Sequence, residues 1–183
     1  MIENELNFLS KLLSKPARPL TLILGGAKID TKINLIDHYI GIADKILIGG
    51  GMAFTLLKAR GIDVGESIVD QSKISAASKL INKAKSKKNL FLPKDVVCSK
   101  SIENGLKHNT YDITDIPSDE MALDIGPKTI ESFSKHILDS KTVVWNGPMG
   151  VFESSSFEKG TKEIASQIAS CTEKGLILSL IHI

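Results

Sequence analysis

Lys28 and Lys32 stand four positions apart in Gly25-Gly26-Ala27-Lys28-Ile29-Asp30-Thr31-Lys32, directly after the apolar run Leu20 to Leu24. Glycines let a ligand approach the main chain, and the amides at a helix start favour phosphate. If the following helix is under way by Lys28, the two ammonium groups share one face and can cover a transferring phosphoryl group, whose equatorial oxygens need positive charge already in place. A tight turn with two surface lysines accounts for the same octapeptide.

A second apolar run, Thr142 to Trp145, leads into Asn146-Gly147-Pro148-Met149-Gly150-Val151-Phe152-Glu153. Such a turn puts backbone amides and one acid at the carboxyl end of a strand, where open α/β sheets bind ligands. Glu153 can accept two hydrogen bonds from a ribose diol or cap the helix that follows. Trp145, a lone aromatic, reads first as core. Gly49-Gly50-Gly51-Met52-Ala53-Phe54 and Asp124-Ile125-Gly126-Pro127 mark two further strand ends, each with close packing or an ordinary turn as the alternative.

Other chemistries lack their residues. His38, His108, His136 and His182 have no metal-ligand spacing, and no metal site is expected. There is no G-x-x-x-x-G-K-[ST], no G-x-G-x-x-G after the first strand and no G-x-S-x-G elbow. Ser154, Ser155 and Ser156 have no accompanying base.

The elements that must position these residues follow from periodicity. Leu6, Leu9, Leu12 and Leu13 give an amphipathic helix over Glu3 to Lys15, stopped by Pro16 and Pro19. Leu20 to Leu24 reads as a buried strand and Thr31 to Ile42 as a helix with Asp30 as its cap. Lys45 to Ile48 is a strand, Met52 to Arg60 a helix stopped at Gly61, and Ser72 to Lys87 a helix after a loop. Asn89 to Val97 holds a short strand interrupted by Pro93, and Ser101 to Ser118 is irregular. Met121 to Ile125 is a strand, Lys128 to Leu138 a helix, and Phe157 to Glu173 the last helix, before the apolar Leu176 to Ile183. This alternation predicts an α/β fold: a doubly wound, mostly parallel, Rossmann-like sheet with helices on both faces.

A length of 183 residues suits one domain, with 42% hydrophobic and 24% charged residues. The net charge of +2 points to no nucleic acid or membrane. The lysines at 79, 83, 85, 87 and 88 read as a solvated helix end. Cys98 and Cys171 suggest free thiols, and the absence of a leader or spanning run predicts a cytoplasmic protein.

In this order, Gly-Gly-Ala-Lys at 25–28 with Lys32, Gly-Gly-Gly-Met-Ala-Phe at 49–54, Asp-Ile-Gly-Pro at 124–127 and Trp-Asn-Gly-Pro-Met-Gly-Val-Phe-Glu at 145–153 closely resemble phosphoglycerate kinase. The likeness is to its carboxy-terminal, nucleotide-binding domain, over residues 16–177, with residues 1–15 similar to the interdomain helix. It implies reversible phosphoryl transfer from 1,3-bisphosphoglycerate to ADP, giving 3-phosphoglycerate and ATP in glycolysis, in a monomeric enzyme. Nucleotide with Mg2+ is the implied cofactor, and phosphoglycerate is held by a missing amino-terminal domain.

The resemblance implies that Lys32 contacts the nucleotide phosphates and Lys28 steadies the transferring group. It further implies that Gly25, Gly26, Ala27, Gly49, Gly50 and Gly126 wall the adenosine slot, that Asn146 and Pro148 line it, and that Glu153 holds the ribose hydroxyls. Asp30-Thr31 replaces the commoner Ser-Asp, leaving both lysines in place.

The family's later Gly-Gly-Gly-Asp-Thr/Ser turn, which serves phosphates and magnesium, is absent, so the sheet is expected to be truncated at its last strands. Residues 178–183, Leu-Ser-Leu-Ile-His-Ile, match what a transposase mosaic-end sequencing adaptor encodes, and this tail is expected to be non-native. The polypeptide alone is expected to be inactive. The alternative from another class is a stand-alone, non-catalytic nucleotide-binding module.

Overall fold

The computed structural model describes residues 16–30, 32–103, 107–173 and 176–181. The helix expected over residues 3–15 and the end of the expected tail lie outside them. In chain order the elements are β1 (Leu20–Leu24), α1 (Ile33–Tyr39), β2 (Lys45–Ile48), α2 (Met52–Ala59), α3 (Ile74–Lys87), β3 (Leu90–Phe91), β4 (Asp95–Ser99), β5 (Asn109–Asp112), β6 (Met121–Ile125), α4 (Pro127–Leu138), β7 (Thr142–Asn146), α5 (Lys159–Thr172) and β8 (Ile177–Ile181).

Five strands form one parallel sheet in the order β3-β2-β1-β7-β8. All five residues of β1 are buried, as a central parallel strand covered on both faces requires. Side chains alternate along it. Leu20, Leu22 and Leu24 join one apolar cluster with Ile36 of α1, Leu56 of α2 and Leu80 of α3. Ile23 points the other way, into a cluster with Phe133 of α4 and Ile164 and Ile168 of α5. The sheet is therefore doubly wound, with α1, α2 and α3 on one face and α4 and α5 on the other.

A second, antiparallel sheet in the order β5-β4-β6 was not expected from the sequence. Pro93 is the dividing point. The single strand expected over Asn89 to Val97 is two, with β3 at the edge of the parallel sheet and β4 central in the antiparallel one. Proline has no N–H for a ladder, so the chain leaves the first sheet there. β5 lies inside the stretch expected to be irregular, where Asn-Thr-Tyr-Asp carries little apolar signal. A third cluster, including Phe54, Leu57, Val96 and Cys98, welds α2 to this sheet.

Helix starts also differ. α1 begins at Ile33, and its N-cap residue Lys32 makes no side-chain capping bond. Asp30 does not cap it; its carboxylate instead meets Lys73 Nζ at 2.7 Å. α3 is preceded by a 3-10 turn, Gln71–Lys73, where Asp70 accepts from Ser72 N at 3.1 Å. At its end Lys88 takes a left-handed conformation, φ 52°, and Lys83 pairs with Asp37. Both cysteines are buried free thiols.

Candidate functional site

Register sets the site. Leu24 pairs with Ile48 on one side and with Asn146 on the other, so β1, β2 and β7 end at one level. After β1 the chain builds β2 and β3 on one side, and it returns to the other side only with β7. That reversal is the switch point at which open α/β sheets leave a crevice.

Main-chain bonds lock the three loops leaving these strands. Gly25 N donates to Asn146 O at 2.9 Å, Gly26 N to Pro148 O at 2.8 Å, Gly50 N to Met149 O at 2.9 Å and Met52 N to Gly26 O at 3.0 Å. Gly25 must be glycine, because a Cβ there would collide with the Pro148 and Gly147 carbonyl oxygens. Trp145, 2% exposed, belongs to the core and donates from Nε1 to Gly147 O at 2.7 Å, bracing the loop from beneath.

Above this junction lies a cavity of about 380 Å³, within the range of small-molecule sites. Gly26, Ala27, Gly50 and Gly51 present main chain on one wall, and Pro148, Gly150 and Val151 form another. Phe54, Leu123, Ile68 and Ile102 also line it, and the two isoleucines are exposed, at 61% and 49%. Glu153, exposed on the turn after Val151, supplies a carboxylate at one end. The cavity suits a flat, weakly polar body with a hydroxyl-bearing end.

Of the residues anticipated from sequence, the cavity gathers Gly26, Ala27, Gly50, Pro148 and Glu153. Gly25, Gly49 and the main chain of Asn146 lie beneath it, in the strand-end junction; Gly49 N donates to Leu24 O at 2.8 Å. Gly126 is not among its lining residues. A Cβ at Gly126 would collide with the Asp95 carboxylate, which accepts from Lys128 N at 2.9 Å and Thr129 N at 2.7 Å and so starts α4.

The lysines occupy different settings. Lys28 is exposed on the loop, whereas Lys32 donates from Nζ to Gly25 O at 2.5 Å and to Asn146 O at 3.3 Å. Burial pushes Lys32 down to about 8. Because the helix starts only at Ile33, helical spacing does not put the two ammonium groups on one face. Lys32 is not among the lining residues of the cavity, but its Nζ lies close to Gly26, which is: a Cβ there would stand 3.4 Å from it.

Glu153 does not cap α5, which begins at Lys159. Asp124 of β6 serves that end, accepting from Gly160 N at 2.6 Å and from Ile125 N at 2.9 Å. Burial pushes its carboxyl up to about 7, against the pull of these two amides. Asp124 lines the cavity and was missed as a site residue, although its motif was recognised. Phe54 likewise sat inside a recognised motif. Ile68 and Ile102 come from loops without any motif, and nothing in the sequence marks them. Among the described residues no group of three or more His, Cys, Asp or Glu is placed to hold a metal.

The family model described as phosphoglycerate kinase matches residues 1–181. The phosphoglycerate kinase of Thermosipho africanus is 49% identical over 177 residues, covering 96% of this chain and 44% of that protein. That of Chlorobium phaeobacteroides is 47% identical over 178 residues, covering 97% of this chain and 45% of its own length. The solved phosphoglycerate kinase of Coxiella burnetii superposes with a TM-score of 0.86 at 35% identity, covering 92% of this chain and 44% of that one. The chain thus spans less than half the length of these three relatives. With the glycine junction and the crevice in one place, and a family match along almost the whole sequence, this chain belongs to the phosphoglycerate kinase family.

Proposed function

We propose that residues 16–177 form the nucleotide-binding domain of a phosphoglycerate kinase, which transfers a phosphoryl group between 1,3-bisphosphoglycerate and ADP. The observation that carries this reading is the cavity at the switch point, with Glu153 and the Gly26 and Gly50 main chain in its lining and Lys32 Nζ close to Gly26. Its weakly polar walls accept a purine, the Gly26 and Gly50 backbones lie against the nucleoside, and Glu153 accepts from the ribose hydroxyls.

Lys32 serves the nucleotide phosphates by leaving the two carbonyls that hold it, and exposed Lys28 steadies the transferring group. Magnesium neutralises phosphate charge in such transfers. Phosphoglycerate binds outside this chain, on the remaining length of the relatives. The full enzyme acts as a cytoplasmic monomer; among the described residues no helix is long and apolar enough to cross a membrane.

Positioning both reactants supplies most of the catalysis in phosphoryl transfer. The 183-residue polypeptide should therefore bind Mg-ADP and adenosine yet show no turnover in a coupled assay. No heat on titration with either ligand would overturn the nucleotide reading, and turnover would overturn the division of labour.

A further inference from the structure

Asp124 is 3% exposed, and none of the described ion pairs includes it. Its carboxylate accepts only from main chain in the bonds described, from Ile125 N and from Gly160 N at the start of α5. Gly150 and Gly160 make room for it: a Cβ on either would collide with Oδ1. The loop over residues 147–153 is fastened to the same two elements that this carboxylate joins, β6 through Val151 N to Leu123 O at 2.8 Å and α5 through Met149 N to Thr161 Oγ1 at 3.0 Å, so Asp124 acts on the loop through them. The same loop carries Pro148, Val151 and Glu153 into the cavity wall. A buried carboxylate without a cation is a costly way to join a strand to a helix.

We infer that Asp124 is a positioning residue for the nucleoside: its charged carboxylate holds the 147–153 loop at the right distance from Gly26 and Gly50, and loss of that charge loosens the nucleoside end of the slot. This rests on the nucleotide reading above. Two amide donors converge on the carboxylate, so the charged form organises β6, the loop and α5 together. A protonated carboxyl must place a hydrogen among donors and glycine Cα atoms, and the loop must give way. Burial brings this change to about pH 7, so adenosine affinity rises as Asp124 ionises.

Other ionisable groups adjoin these elements. Glu66 and Glu153 share the cavity wall, and Asp95 of β4 is engaged with the start of α4. On α5, Glu158 pairs with Lys162 at 2.6 Å, beside Lys159 and Glu163. His108 stands edge-on to Phe157 at 5.7 Å.

The test is adenosine titration of the 183-residue chain, read by calorimetry and by fluorescence of its single tryptophan, at pH values of about 6, 7 and 8. The variants are Asp124→Asn and Gly160→Ala; Gly160 lies outside the cavity wall, and its new methyl would displace the carboxylate. Expected is wild-type affinity rising roughly tenfold across the range, with Asp124→Asn flat and meeting wild type at the acid end. Gly160→Ala should weaken adenosine at the alkaline end.

A pH dependence that persists in Asp124→Asn assigns the effect to another group and overturns the inference. So does a constant offset between the two proteins, the mark of a merely structural role. If Asp124→Asn does not fold, a flat wild-type profile or an unchanged Gly160→Ala overturns it. A wild-type chain that binds no adenosine overturns the nucleotide reading and this inference with it.

Discussion

Gly50→Ala and Gly61→Ala form a matched pair that isolates the work done by the strand-end junction. Both glycines adopt positive φ, +64° at Gly50 and +82° at Gly61, so alanine at either site costs about 1–2 kcal/mol in backbone strain. At Gly61, just past α2, a Cβ would have nothing within 4 Å. At Gly50 it would stand 2.5 Å from Gly26 N, 2.8 Å from Gly26 O and 3.0 Å from Pro148 O, all main chain that no rotamer change can move. Relief requires the three loops to part, which breaks Gly50 N to Met149 O and Gly26 N to Pro148 O, about 1 kcal/mol each. Gly50→Ala should then cost about 3–4 kcal/mol, roughly 2 more than Gly61→Ala. At 2–4 °C per kcal/mol for a chain of this size, the melting temperatures of the two variants should differ by about 4–8 °C. Urea unfolding followed by Trp145 fluorescence measures both. Equal losses, within about 0.5 kcal/mol, would refute the claim that backbone collision rather than glycine's conformational freedom governs Gly50.

Three further outcomes follow from the site and its surroundings. Lys32 gives up its proton near pH 8 in the folded chain, while the unfolded chain holds it to the ordinary lysine value; the unfolded state then binds more protons in between, and stability rises from about pH 8 to 10. Lys32→Met should lack that rise in pH-dependent urea unfolding, and parallel wild-type and variant curves would exclude Lys32 as its source. Glu153→Gln should weaken adenosine about tenfold, the scale of one charge-assisted hydrogen bond, while leaving 2′,3′-dideoxyadenosine unchanged; equal losses for both ligands would remove the ribose contact. Burial and the nearby Glu120 push the Cys98 thiol up to about 12, and Cys171 is buried, so neither should react with a disulfide reagent until denaturant is added. Fast labelling of the native chain would contradict the packing around Cys98.

The sequence shows the parallel sheet more clearly than the antiparallel one for a physical reason. Strands covered on both faces, such as Leu20–Leu24 and Lys45–Ile48, must be almost continuously apolar, and each ends in glycine where the chain turns into a helix. β5 is partly exposed along its length, so Asn109–Asp112 carries no comparable pattern. The strand at Met121–Ile125 is legible as a strand, but its sheet is not: membership depends on pairing with β4, and β4 is separated from β3 only by the turn at Pro93. Helix starts suffer from similar competition. Asp30 has the residue type of a cap, yet Lys73 from a distant turn claims its carboxylate.

The site was legible as motifs, but the glycines within each motif do different jobs. In Gly25-Gly26 the first residue packs against the Gly147 and Pro148 carbonyls, while the second, at φ +101°, lines the cavity. In Gly49-Gly50 the first packs against the Met149 side chain, and the second, at φ +64°, lines the cavity. Close packing and ligand approach look like rival explanations in sequence, but they are successive requirements of one turn. Strands β1 and β2 must end tightly enough for the loop after β7 to bond across them, and only then does the next residue turn its main chain toward the crevice. A paired glycine at a parallel strand end carries both requirements, whereas Gly126, alone before Pro127, meets only the first, by admitting the Asp95 carboxylate. After β1 and β2 the paired glycine therefore carries the exposure of backbone to the cavity, whereas the loop after β7 reaches the cavity by its bonds across them, and Gly126 only turns.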